Sequence, residues 1–131
     1  MADNKPAHGT FCWNELMTRD TAAAGKFYSE LIGWNATDGG MSGMQYTVFK
    51  IGDKDACGMM AMPPEVPAEV PSHWLAYITV DDVDSAAAKV GELGGKVIMG
   101  PQDIPNVGRF CVIQDPTGAT VGLIKLASSE K

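Results

Sequence analysis

The chain has 131 residues, 45% of them hydrophobic and 20% charged, with a formal net charge of -6 and a pI near 4.7. That length suits one domain with a sizeable core and no need of disulfides. The acidic balance, uninterrupted by any Lys/Arg cluster, argues against nucleic acid and anionic membrane as partners, and no apolar run approaches the ~18–20 residues of a membrane span. Cys12, Cys57 and Cys111 are odd in number and form no CxxC pair, the usage of reduced thiols in a cytoplasmic protein. Each lies in a strand-like run and reads as a small core residue rather than a nucleophile.

Residues 1–9, MADNKPAHG, are polar and lack an apolar h-region, so they read as a flexible lead and not a signal peptide. In residues 11–20, FCWNELMTRD, Phe11, Trp13, Glu15 and Met17 alternate with Cys12, Asn14, Leu16 and Thr18, a strand pattern. Glu15 shares a face with Trp13 and Met17. Such a carboxylate is either turned to water on a twisted strand or held in a pocket, where it must be hydrogen-bonded or protonated. Asp20 or Thr21 can cap a helix over residues 21–32, whose Ala24, Phe27, Tyr28 and Leu31 make one apolar stripe that Gly33 ends. Short strands are predicted from residue 34, over 45–51 and over 56–62. Eight methionines are many for this length, five of them between Met41 and Met62; flexible thioethers suit irregular core packing or an adaptable apolar pocket.

Residues 63–71, PPEVPAEVP, carry four prolines in nine residues and read as a semi-extended linker. Beyond it the pattern repeats: a strand over 73–80, a helix over 81–93 stopped by Gly94 and Gly95, a short strand over 96–99, a loop over 100–108 able to line a site, and strands over 109–114 and 120–126. A polar tail covers 127–131. Adding 62 maps Asp20 to Asp82, Ala24 to Ala86, Glu30 to Glu92, Leu31 to Leu93, Gly33 to Gly95, Ile51 to Ile113 and Asp53 to Asp115. The chain is therefore two tandem βαβββ modules, 10–62 and 72–126, of α+β class, expected to form curved mixed sheets around a cleft.

Two motifs carry a family resemblance: D-x-x-x-A-x-x-F-Y-x-x-x-x-G-W at residues 20–34 and D-P-x-G at 115–118. With the repeated module they resemble the vicinal oxygen chelate superfamily, which includes glyoxalase I, extradiol dioxygenases and the fosfomycin- and bleomycin-resistance proteins, over about residues 10–126. The opening CWNEL with Thr18 and Asp20 is most similar to a glyoxalase-like branch. The resemblance implies metal ligands seven residues before the helix-starting Asp and seven after the turn Asp. Those positions hold Trp13, Leu75, Met60 and Gly122. None is a conventional ligand for a hard divalent ion. The only histidines are His8, in the lead, and His73, near a strand start; a site from Glu15 and His73 would have two ligands. The expectation is no metal and no cofactor.

With those ligands replaced, the expected cavity between the modules is lined by Trp13, Glu15 and Met17, with Leu75, Tyr77 and Thr79 as their 62-residue counterparts and Phe49, Met60 and Cys111 adding to the walls. Aromatic walls with few polar groups describe a small-molecule pocket; the bland alternative is that these side chains fill the space. Three functions follow. A metal-free binding module would stack a ligand between Trp13 and Tyr77, with Glu15 accepting a hydrogen bond or pairing with a cation. A metal-free lyase or isomerase would use Glu15 as general base and Tyr77 as oxyanion donor. A metal-dependent glyoxalase or dioxygenase ranks third. Family analogy adds a homodimer.

Overall fold

A computed structural model describes residues 6–39, 46–104 and 107–127. The order is β1 (Phe11–Thr18), α1 (Thr21–Ile32), β2 (Asn35–Asp38), β3 (Tyr46–Ile51), β4 (Lys54–Ala61), β5 (His73–Thr79), α2 (Val83–Val90), β6 (Lys96–Ile104), β7 (Gly108–Gln114) and β8 (Thr120–Leu126). This is βαβββ twice, the α+β class. The chain divides into two compact units: Trp13–Leu75, and the described residues on either side of it. The predicted methionines Met41 and Met44 lie outside the described residues.

In the Trp13–Leu75 unit the strands run in the order β2-β3-β4-β1. β1 is parallel to β4, and both β2–β3 and β3–β4 are antiparallel. Leu16, Phe49, Cys57 and Met59 point to the α1 side and make its core, covered by Ala24, Tyr28 and Trp34. Asp20 caps α1 by accepting the Ala23 N–H at 2.9 Å, and Gly33 ends it at φ 91°, a left-handed conformation that favours glycine. The predicted stripe is narrower than expected. Ala24 and Tyr28, one turn apart, meet the core, whereas Phe27 and Leu31 are 56% and 65% exposed. The face is set by the i, i+4 pair, and Phe27 and Leu31 lie a step round the helix from it.

The proline-rich stretch is structured rather than a free linker. Val66 N–H donates to Pro63 O and Val70 N–H to Pro67 O, so PPEV and PAEV form successive turns. The Arg19 guanidinium donates to Pro67 O at 2.8 Å and to Val70 O at 2.8 and 3.1 Å, tying both to the end of β1.

In the other unit the order is β5-β8-β7-β6, with β5 parallel to β8 and the remaining pairs antiparallel. Val80, Val83, Cys111 and Leu123 form its helix-side core beneath Ala86 and Ala87. Asp82 caps α2 through the Ser85 N–H at 3.1 Å, the counterpart of Asp20. α2 stops at Val90, short of the expected residue 93: the chain tightens into a turn in which Gly94 takes φ 94° and Gly95 N–H returns to Val90 O. The expected loop over 100–108 is strand as far as Ile104, with Gln102 opposite Phe110 and Asp103 opposite Arg109. Pro101 fits because β6 stands last in the strand order and its register shifts between Met99 and Gln102, the places a sheet tolerates proline. The lead is also fixed at its end. Gly9 N–H donates to Thr79 O, Thr79 N–H to Thr10 O, and His8 Nδ1 accepts the Asp81 N–H at 2.9 Å.

Candidate functional site

Strand parity selects the face of interest. Leu16 turns toward α1, so its neighbours Glu15 and Met17 turn to the opposite side of the sheet. Glu15 pairs with Gly58 on β4, Gly58 with Val48 on β3, and Met60 with both Met17 and Tyr46. A Cβ built on Gly58 would lie 1.7 Å from the Tyr46 hydroxyl oxygen. The tyrosine therefore occupies the space that a side chain opposite Glu15 would fill. A glycine inside a strand marks such a close approach.

Glu15 is only 6% exposed. The Tyr46 hydroxyl hydrogen-bonds its side chain and accepts the Trp13 indole Nε1–H at 2.9 Å. Burial, then the negative charge of Glu15, pushes the Tyr46 hydroxyl far above its ordinary value, against a smaller lowering by the Trp13 bond. Tyr46 thus stays protonated across the physiological range and acts as a donor, never as a base. The bonds run one way, Trp13 to Tyr46 to Glu15. A hydrogen bond to a charged acceptor contributes about 1.5–3 kcal/mol and a neutral one about 1 kcal/mol, which offsets part of the cost of burying a carboxylate. Trp13 and Tyr46 both keep partly exposed rings.

Of the predicted site residues, the structure brings Trp13, Glu15, Met17 and Met60 to one face and adds Tyr46 and Gly58, which sequence reasoning did not name. Two expectations are corrected. Phe49 and Cys111, each 0% exposed, belong to the helix-side cores of their units and line no open wall. The cause is parity, since β3 turns Tyr46 and Val48 to the Glu15 face and Phe49 away. Leu75 is buried at 2% exposure. Tyr77, in the other unit, lies over Gly122 and meets Phe110 edge-on at 6.3 Å. Thr79 is buried, and its hydroxyl finds no hydrogen-bond partner among the described residues.

The inherited metal-ligand positions do not fit a hard divalent ion. Trp13 donates its N–H to Tyr46, Met60 and Leu75 lack nitrogen and oxygen donors, and at Gly122 the Tyr77 ring lies 2.4 Å from where a Cβ would stand. Among the described residues no three His, Cys, Asp or Glu side chains converge. The His73 ring uses Nδ1 on Pro71 O at 2.9 Å. On the α1 side a groove of about 430 Å³ runs past Thr21, Gly25, Lys26, Ala36, Thr47 and Met59. It is lined by no aromatic and no buried titratable side chain. Among the described residues no helix is long and apolar enough to cross a membrane.

Comparison with known proteins places the fold and the family. The sequence model of the Glyoxalase/Bleomycin resistance protein/Dioxygenase superfamily matches residues 10–123. "Putative glyoxylase CFP32" of Mycobacterium tuberculosis is 42% identical over 123 residues, covering 93% of this chain and 46% of that protein. The anthracycline biosynthesis protein DnrV of Streptomyces peucetius is 34% identical over 127 residues, covering 86% of this chain and 46% of its own length. The chain thus spans about half the length of these curated relatives. Methylmalonyl-CoA epimerase from Mycobacterium tuberculosis superposes with a TM-score of 0.63 at 15% identity, covering 97% of this chain and 93% of that one, a likeness of fold.

Proposed function

Because the chain belongs to the glyoxalase/bleomycin resistance protein/dioxygenase superfamily, we propose that it binds a small aromatic molecule on the face formed by Trp13, Glu15 and Tyr46, without a metal ion. The observation that carries this reading is Glu15 itself, 6% exposed and hydrogen-bonded to a tyrosine that is in turn bonded to a tryptophan. A carboxylate buried among large apolar side chains is costly, and such groups concentrate at functional sites. The partly exposed Trp13 and Tyr46 supply stacking area, Met60 beside the buried Met17 supplies adaptable apolar surface, and the hydrogen-bonded chain fixes side-chain orientation before a ligand arrives. Among the described residues no three metal-binding side chains converge, which supports a recognition resting on ring faces, hydrogen bonds and charge.

Native mass spectrometry of the purified chain, with denaturing analysis of what dissociates, tests this reading. The expected result is a retained or readily loaded aromatic molecule with no metal, and the same spectra count chains, with a dimer expected. A stoichiometric divalent ion would overturn it.

One observation favours a second reading, a metal-independent lyase or isomerase. Glu15 is an acceptor beside Tyr46, a hydroxyl held in its protonated form, and a base next to a donor is the pair that moves a proton beside a carbonyl. Tyr46 takes the role that sequence reasoning gave Tyr77. Glu15→Gln separates the readings: kept affinity with lost turnover supports the enzyme, and unchanged behaviour in every assay removes both roles for Glu15.

A further inference from the structure

We infer that the Trp13–Tyr46–Glu15 face selects a flat organic cation, such as an amidinium or a protonated nitrogen heterocycle, over neutral and anionic molecules of the same shape. This rests on the proposed binding function and narrows its ligand class. The argument is the direction of the hydrogen bonds. The Trp13 N–H ends on Tyr46 at 2.9 Å, and the Tyr46 hydroxyl bonds Glu15. Both aromatic side chains have therefore spent their donors within the cluster, and both residues keep part of their surface exposed. A ring face carries the negative end of its quadrupole, so it attracts cations and repels anions.

The end of the chain adds to the same sign. Glu15 is screened from water at 6% exposure, and in such a setting its charge reaches through a ring's thickness with much less loss than in bulk water. Its charge is already felt at Tyr46, where it opposes ionisation of the hydroxyl. The chain as a whole carries a formal charge of -6, which steers cations toward the surface and anions away. The flatness requirement comes from Gly58. Because Tyr46 lies over it, its hydroxyl oxygen 1.7 Å from where a Cβ would stand, the tyrosine side chain rests against the sheet, a low profile that suits a flat ligand.

The test uses the full chain and three probes of one shape: benzamidinium, benzamide and benzoate. Each is titrated while the indole N–H signal of Trp13 is followed by two-dimensional NMR, the signal being assigned with Trp13→Phe. Salt is held at about 0.15 M, where screening over ~8 Å suppresses loose surface binding. Benzamidinium is expected to shift the Trp13 signal and to bind about tenfold more tightly than benzamide, with benzoate weakest. Glu15→Gln is expected to shrink the benzamidinium-over-benzamide ratio several-fold, the ring faces keeping the remainder. Benzamide or benzoate matching benzamidinium at Trp13 would overturn the charge selection and leave the binding site standing. If no probe moves the Trp13 signal, the site itself falls, and the inference with it. The probe series on the unaltered chain decides the matter even if Glu15→Gln fails to fold.

Discussion

The two modules each set a glycine opposite an equivalent position on the first strand, and they fill the space above it differently. Glu15 and Tyr77 are 62 residues apart; Glu15 faces Gly58 and Tyr77 faces Gly122. In the second module Tyr77 itself covers its glycine and packs against Phe110, with 5% exposure. In the first, the position holds a carboxylate, and the space is filled from another strand by Tyr46. One frame thus yields an apolar plug in one copy and a polar, half-open cluster in the other. The plug contributes stability, because a buried ring removes a large apolar area from water. The cluster gives up some of that gain to hold a charge in place, the exchange expected at a functional site.

The comparison can be broken most forcefully at the helix-side cores. Phe49 and Cys111 are also 62 residues apart, and both are fully buried. Phe49→Ala is expected to cost about 3–5 kcal/mol, whereas Cys111→Ala is expected to cost about 1 kcal/mol, near the worth of one buried methylene-sized group. Urea unfolding of both variants measures this. Equal costs would mean that the modules do not share a core position.

The glycines sharpen the contrast. Gly122→Ala places a methyl 2.4 Å from the buried Tyr77 ring and is expected to destabilise by about 1–3 kcal/mol through overpacking. Gly58→Ala drives its methyl into the Tyr46 hydroxyl, but that ring is partly exposed and can swing out. Its expected cost is below that of Gly122→Ala, and its main effect is loss of the Trp13–Tyr46 bond. Melting temperatures and the Trp13 indole signal distinguish the two. A larger stability loss at Gly58 than at Gly122 would reverse the assignment of plug and cluster.

The last contrast is in pH. Tyr46 holds its proton more tightly in the folded state than the ordinary tyrosine value, chiefly through burial and then through Glu15. The unfolded chain therefore ionises first as pH rises, and stability falls above about pH 10, by about 1.4 kcal/mol per pH unit. Tyr46→Phe should flatten that alkaline slope. In the second module the signs are opposite. Hydrogen bonding by Arg109 lowers Asp84, and bonding by the Thr117 hydroxyl lowers Asp115. Their contribution is present above the ordinary carboxylate range and fades as pH falls through the lowered values. Both are exposed, so the acid effect is slight. Stability measured from acid to alkaline pH on the parent chain, Tyr46→Phe and Asp115→Asn separates the limbs.

Much of the fold was legible because local signals and the repeat agree. Asp20 and Asp82 both cap helices, and the alternation in β1 puts Trp13, Glu15 and Met17 on one face and Leu16 on the other. The site was only half legible. The third strand is legible in the sequence, but Phe49 reads as a cavity residue and Tyr46 carries no signal of its own. A strand's side chains alternate, so the error of one position reversed the face. Two signals could have corrected it: Phe49 is the counterpart of Cys111, and Gly58 is an isolated glycine in a strand. The end of α2 and the length of β6 were obscured by paired glycines and by prolines, whose meaning depends on whether a strand stands at an edge.

Arg19 has a consequence for cleavage. A connector of nine residues with four prolines invites the picture of an accessible tether. Here one guanidinium is bonded to the carbonyls of Pro67 and Val70, the ends of one turn, and a second turn just before it takes up more of the slack. A protease must draw several residues into an extended conformation, and this stretch can supply them only by releasing all of those bonds together. Its resistance to nicking therefore depends on a single side chain just past the end of β1. Loss of Arg19 would expose the middle of the chain to cutting without touching either core.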